Sequence, residues 1–415
     1  MRNLSSAWKE KARNGMDVNY LKYADITLKD GTVLNLTNKD FWENGMEFED
    51  SVSSDESFDI GSTIINKLTL TINNFDGQYS EYDFEDASVI CYIGLETESK
   101  KIEKKRICTM TVVEQPEDET VTIGLVCEDN MRKFDKDYSL SKLKYPATRA
   151  QIVRDACSVC GVTLQTQIFD RSDYIVQVRP SDEALTFRQV LQWVAQIGCQ
   201  WMRCDEYGRL CIGWYKSINE GTLVLDENGV LISPDRDIII ANETASVENG
   251  SFIECNGVLK LFLIDKDGNI SQMPPTYSFT PQHTDVVITG VRVTEYSDSL
   301  DDDAASYISG VEGYLLDISE NKLIGKGDGE TVAAMIAEKC VGILFRPFEA
   351  ECVTDVSLEA GDSIVIVDRN GKTYTSFVTS TVLSPGNGQS IACNAKSAAK
   401  NSSVQYSQET QAFVA

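Results

Sequence analysis

Histidine is nearly absent from this 415-residue chain, and His283 is its single example. That excludes HExxH zinc sites and every constellation needing two histidines. A Ser-His-Asp or Cys-His arrangement would have to use His283, which lies between Pro281-Gln282 and Thr284 in an expected connector. Such a base needs a third group to hold it. Basic charge is scarce as well: 38 Lys+Arg stand against 64 Asp+Glu, a net charge of −26. An acidic surface repels duplex DNA and anionic membranes, so no sequence-specific nucleic-acid binding is expected. No stretch approaches the roughly 20 apolar residues of a membrane helix, so membrane insertion is not expected either. The first twenty residues hold Arg2, Lys9, Lys11 and Arg13 without an apolar run, so no signal peptide is expected. The sequence contains neither a GxSxG elbow nor a Walker A loop.

What is present is β pattern. From Ser57 to Leu95 the chain reads SFDIGSTIINKLTLTINNFDGQYSEYDFEDASVICYIGL. Leu68, Leu70 and Ile72 alternate with Lys67, Thr69, Thr71 and Asn73, the period of a half-buried strand. Asn74-Phe75-Asp76-Gly77 breaks the run, and a second apolar strand follows from Val89 to Leu95. Ile26 and Leu28, Asp30-Gly31, then Leu34 and Leu36 form a hairpin signature. Further strands are expected over 106–113 and 120–127.

Composition shifts at Tyr145-Pro146. Ile152, Ala156, Val159 and Cys160 fall at helical spacing before Gly161, and Thr186 with Gln189 makes a capping box ahead of Val190, Leu191, Val194 and Ile197. A strand returns at 210–214, giving two helices against a hairpin. Residues 215–283 read as short apolar runs separated by Asn228-Gly229, Asn256-Gly257 and Asp267-Gly268, an insertion or an extra β layer. A second β region begins with the β-branched run 286–294. It includes a helix after Asp328, with Ala333, Ile336, Ala337 and Cys340 on one face, and a hairpin around Asn370-Gly371. The tail after Lys400 is rich in Ser and Gln.

Several residues invite chemistry. Cys157 and Cys160 form a CxxC, with Cys199, Cys204 and Cys211 beyond, enough thiolates for zinc. Against this, the first pair lies inside an expected helix and the second set is spaced x4 and x6, so core packing is the simpler reading. Cys91, Cys108, Cys127, Cys340, Cys352 and Cys393, scattered through apolar runs, also read as small buried hydrophobes rather than a disulfide framework. Gly325, Gly327 and Gly329 precede a helix, but Asp328 and Glu330 place negative charge where a phosphate would sit. The acidic loop Asp298–Asp303 lacks the glycine and spacing of a calcium loop. Phe41-Trp42, Tyr79 and Tyr82 suit either a carbohydrate-binding face or a core or subunit interface. No catalytic, cofactor-binding or metal-ligating residue is assigned.

FDIGSTIINKLTLTINNFDG with YDFEDASVICYIG resembles the opening barrel of the tail hub, tail-tip or baseplate hub proteins of phages and phage-like particles of Gram-positive bacteria. That family includes the N-terminal structural part of tail-associated lysins. YPATRAQIVRDACSVCGVTL, ALTFRQVLQWVAQIGCQWMRCDEYGRLCI, DVVITGVRV and SLEAGDSIVI are similar too. The resemblance implies a mainly β protein with α+β insertions: two tail-tube-like β-barrels linked by a small helical α+β module. The expected divisions are an N-terminal arm (1–20), a first barrel (21–143), the module (144–215), an insertion or connector (216–283), a second barrel with one helix (284–400) and a loose tail (401–415). The implied role is structural and non-enzymatic, with no cofactor; the alternative is a cell-wall-degrading or glycan-binding tail-tip protein. A homotrimeric ring would join the tail tube to a spike or receptor-binding apparatus, leaving a channel for the tape measure and DNA. Implied partners are the distal tail or tube protein, the tape-measure terminus and a central spike, fibre or receptor-binding protein. Assembly would take place in the host bacterial cytoplasm. The extra lytic domain of some relatives is not expected here.

Overall fold

A computed structural model describes residues 2–13, 18–53, 58, 60–97, 101–115, 121–181, 183–216, 224–225, 231–232, 259–264, 270–296, 304–369 and 373–395. The acidic loop Asp298–Asp303, the Asn228-Gly229, Asn256-Gly257, Asp267-Gly268 and Asn370-Gly371 turns, and the tail 401–415 lie outside the described residues.

The first β region holds β1 (Tyr20–Thr27), β2 (Val33–Leu36), β3 (Phe41–Ser51), β4 (Lys67–Asn73), β5 (Ser88–Glu96), β6 (Ile102–Glu114) and β7 (Thr122–Asp129). The alternation in β4 is realised: Leu68, Leu70 and Ile72 are buried while Lys67 and Thr69 are exposed. Gly77, at φ +69°, donates its N–H to the Asn74 carbonyl at 2.9 Å and closes the turn. The partners differ from what neighbouring strands suggest. β4 pairs with β3 and β7, whereas β5 pairs with β1 and β6, all antiparallel. A period of two fixes which face of a strand is buried, not which strand lies beside it. Ahead of these strands, helix α1 (Ser6–Arg13) turns Trp8 and Ala12 into the same core, with Leu4 before it. The N-terminal arm is thus anchored on the first β region through an i, i+4, i+8 stripe.

In the module, α2 (Arg149–Cys160) and α3 (Phe187–Ile197) both start on capping boxes, Thr148 with Gln151 and Thr186 with Gln189. They pack with the antiparallel hairpin of β10 (Trp201–Cys204) and β11 (Leu210–Gly213) and the two-residue pair β8 (Ala147–Thr148) and β9 (Ile175–Val176). The start of α2 carries a fully buried arginine. Arg149 donates to the Val194 carbonyl at 2.9 Å, to the Asp170 carbonyl at 2.8 Å and to Gln200 Oε1 at 2.7 Å. Burial, with Arg171 nearby, lowers its pKa to about 10. Gly198 is required beside it, because an added Cβ would stand 2.1 Å from Arg149 Nη2.

The remaining strands are β12 (Val224–Leu225), β13 (Leu231–Ile232), β14 (Lys260–Ile264), β15 (Ile270–Gln272), β16 (Thr276–Pro281), β17 (Val286–Val287), β18 (Gly290–Thr294), β19 (Ser306–Gly310), β20 (Leu315–Ile318), β21 (Leu344–Phe345), β22 (Phe348–Cys352), β23 (Ser363–Val367), β24 (Thr373–Phe377), β25 (Ser380–Ser384) and β26 (Gly388–Cys393). Two ladders cross the expected 283/284 division, since β14 pairs with β23 and β16 with β22. Between β16 and β22 lies a smaller unit, in which helix α4 (Gly329–Cys340) packs on the sheet β19-β18-β20.

Two closed barrels are not what the ladders form. β25 pairs with β3, Ser380 opposite Ser51 through Leu383 opposite Phe48, and so fuses both β regions into one eleven-stranded sheet. Its order is β16-β22-β26-β25-β3-β4-β7-β6-β5-β1-β2, which among the described residues leaves β16 and β2 as its two ends. The fold is mainly β with helical insertions, built on open sheets. Where β1 runs beyond its pairing with β2, side chains replace a ladder: Lys22 donates its ammonium to the carbonyls of Trp42 and Glu43, and Asn38 Oδ1 accepts the Lys22 N–H at 3.0 Å.

Two hydrophobic cores result. One fills the first β region and takes in Val356 and Leu383. The other runs without a break from the module into the second β region. Its centre is a ring cluster in which Phe58 lies 5.9 Å from Trp214, 5.1 Å from Tyr215, 4.7 Å from Phe345 and 5.7 Å from Phe377.

Candidate functional site

Four charged side chains meet where the arm, both β regions and the module converge. Asp50 sits on β3 at an inward position, in step with Met46 and Phe48. Its Oδ2 lies 3.0 Å from Arg203 Nη2 on β10 and accepts the Ala360 N–H at 3.1 Å. Its Oδ1 accepts from Asn66 Nδ2 at 3.2 Å. Arg203 also donates to the Ala360 carbonyl at 3.0 Å and to Glu359 at 3.4 Å. From the arm, Arg2 donates to the carbonyls of Val356 at 3.2 Å and Leu358 at 3.0 Å, with Glu359 at 3.7 Å. Nearby, the Tyr20 hydroxyl donates to the Thr354 carbonyl at 2.7 Å. Arg2, Asp50 and Arg203 are all buried. Burial works against the Arg203 charge, but Asp50 and Glu359 overcome it and hold the guanidinium protonated. Burial likewise lifts the Asp50 carboxyl above its usual range, against the pull of Arg203 and Arg2.

Asp129, at the end of β7, borders this knot. Its Oδ1 accepts the Met131 N–H at 2.9 Å, while its buried Oδ2 has no hydrogen-bond partner among the described residues. Burial pushes its carboxyl up to about 7. An unfolded aspartate titrates near about 4, so from there up to neutrality the folded chain holds a proton that the unfolded chain has lost. This group's contribution therefore falls as pH rises through that window. Asp129→Asn keeps the capping acceptor and removes the titration. It is expected to raise Tm by several degrees at pH 8 and to change it little at pH 5, read from thermal melts followed by circular dichroism. A variant that melts with the parent at both pH values would remove this account.

The residues singled out in the sequence are dispersed. His283 is exposed in the bend after β16. Cys157, Cys160, Cys199 and Cys204 are buried and Cys211 half-buried. Burial raises the thiols of Cys157, to about 12, and of Cys160, to about 11, the opposite of what a metal-binding thiolate needs. Among the described residues no three metal-ligating side chains converge. The glycine loop before α4 is already filled: Glu295 accepts the N–H groups of Gly327 and Gly329, each at 2.9 Å. Asp328 stands at the N-cap position without a side-chain cap bond and Glu330 lies in the first turn, so the hydrogen-bonding carboxylate comes from Glu295 on another segment, in addition to the local acidic residues. Of the aromatics, Phe41 is buried and Trp42 is 51% exposed, while Tyr79 and Tyr82 lie 6.5 Å apart.

Sequence reasoning missed the ionic knot. Its signals were present: Asp50 has inward parity, and Arg203 lies between Met202 and Cys204 in an apolar strand.

No family model and no curated protein matches the chain. Among solved structures it is similar to a 43 kDa tail protein of prophage MuSo2 from Shewanella oneidensis, at 10% identity and a TM-score of 0.47 over 89% of this chain and 97% of that one. It is also similar to the prophage tail protein gp18 from Listeria monocytogenes EGD-e, at 10% identity and a TM-score of 0.48 over 92% of this chain and 97% of that one. A third likeness is to a Francisella PdpA-VgrG complex, at 8% identity and a TM-score of 0.42 over 92% of this chain and 60% of that one. Each TM-score lies below 0.5, so these are distant likenesses.

Proposed function

We propose that this chain is a non-enzymatic structural hub of a phage or phage-like tail tip or baseplate. Three copies close into a ring that joins the tail tube to a spike or receptor-binding apparatus. The ring leaves a channel for the tape measure and DNA. The two β regions act in it as two tail-tube-like units joined in one open sheet, the second drawing strands from both sides of the expected 283/284 division.

The observation that carries this reading is the β3–β25 ladder, which makes both β regions one sheet with open ends. A ring of heterologous contacts needs a rigid unit presenting different surfaces on its two sides. The buried ionic knot favours the same rigidity, because arm, module and both β regions share it. The resemblance of Ser57–Leu95 to tail hub proteins supplies the context, and the net charge of −26 suits a wall that DNA passes without adhering. On this reading the partners are the distal tail or tube protein, the tape-measure terminus and a central spike or fibre. Light scattering on the purified chain is expected to give three times 46.1 kDa, and electron microscopy to show rings with a central hole. A stable monomer at high concentration would overturn the proposal. Clearing on a cell-wall zymogram would favour a peptidoglycan hydrolase instead.

A further inference from the structure

A cleft of about 570 Å³ opens between β16 and the β23–β24 hairpin. We infer that it is a binding site for a neutral oligosaccharide, and the inference stands on the cleft's own residues rather than on ring assembly. The volume falls within the range of small-ligand sites. One wall offers rings. Tyr277 is 71% exposed, and Phe279 beside it stacks on Phe348 with centroids 5.6 Å apart. A sugar ring presents C–H groups on its faces and hydroxyls at its rim, and the electron-rich face of an aromatic ring attracts those C–H groups.

The opposite wall offers planar hydrogen-bonding groups held in place. Arg346 is anchored by Asp285 at 2.5 Å and lies over the Tyr374 ring at 4.2 Å. The Tyr374 hydroxyl reaches Asp368 at 3.5 Å, and Arg369 is exposed next to it. Carboxylate and guanidinium groups accept and donate in fixed planes, which suits hydroxyl pairs. Arg346 is paired with Asp285 behind the lining, and Asp368 carries the charge opposite to that of its neighbour Arg369, so the formal charges of the cleft and its support cancel. That favours a neutral polyol over an anion or a cation.

The edge of β16 that has no partner strand among the described residues offers an alternative, the addition of a peptide strand. Its form disfavours this. Pro275 stands just before the strand, Pro281 ends it, and a bulge between Thr276 and Ser278 breaks the register. Prolines and bulges at an edge interrupt ladder addition.

The test uses the full chain with tri-N-acetylchitotriose, cellotriose and maltotriose, followed by saturation-transfer NMR and calorimetric titration. At least one is expected to bind with a Kd of about 1 mM or tighter, and Tyr277→Ala to weaken it roughly tenfold or more, while Tyr277→Phe retains it. Because Tyr277 is exposed, the variants should melt with the parent, which separates lost binding from lost folding. The inference is overturned by the absence of binding to all three probes, or by Tyr277→Ala leaving affinity unchanged. It is equally overturned if an extended peptide array, rather than any saccharide, is captured in a Tyr277-dependent way.

Discussion

Arg203→Met is expected to lower the unfolding free energy by about 3–5 kcal/mol, because it takes the nearest counter-charge from the buried Asp50 and leaves Arg2, among the described residues, to face both carboxylates. Asp50 and Glu359 both face that guanidinium, at 3.0 and 3.4 Å. Asp50 keeps its Asn66 and Ala360 contacts, but these are dipoles and not a neutralising charge. The mechanism is checked by combining the change with Asp50→Asn. Removing the opposing charge should recover part of the loss, so the double variant is expected to be less destabilised than the two single effects summed. Urea titrations with a common slope would measure this. Strict additivity would mean that Arg203 acts through its packing and not through its charge.

Phe345→Ala is expected to cost a similar amount, about 3–5 kcal/mol, by a different route. Phe345 is fully buried, with Phe58 at 4.7 Å and Phe377 at 5.4 Å between centroids. Truncation leaves a void among rings supplied by four stretches of chain: the segment after β3, the end of the module, β21 and β24. Phe345→Leu, which refills most of the volume, should cost clearly less. Chemical denaturation followed by tryptophan fluorescence would read both variants, since Trp214 belongs to the cluster. Equal losses for Ala and Leu would show that ring geometry, not cavity size, sets the cost.

Local structure was legible in this sequence. The alternation at Leu68, Leu70 and Ile72 marks the buried face of β4, and Thr186 with Gln189 marks the start of α3, because both signals arise within one turn or one strand. The scattered cysteines were legible for the same reason: Cys91, Cys108, Cys127, Cys340, Cys352 and Cys393 sit in apolar runs, and all are buried. Partnership between distant segments was not legible. Nothing in the Ser380–Ser384 pattern points to Phe41–Ser51, since any strand with one apolar face satisfies the same rule. Arg2 read as part of a polar arm, because a charge accepted by carbonyls more than 350 residues away leaves no local trace. Glu295 at the start of α4 is a further case: Asp328 and Glu330 place charge there as expected, but the carboxylate that accepts the backbone N–H groups comes from a strand end 32 residues upstream.

The β3–β25 ladder has a mechanical consequence. Four paired positions, from Ser51 with Ser380 to Phe48 with Leu383, add a backbone ladder to the buried side-chain contacts that already join the two segments. A pull directed along those strands loads the backbone hydrogen bonds together, in shear, instead of opening them one after another. The two β regions then behave as a single stiff plate, and neither swivels unless that seam tears.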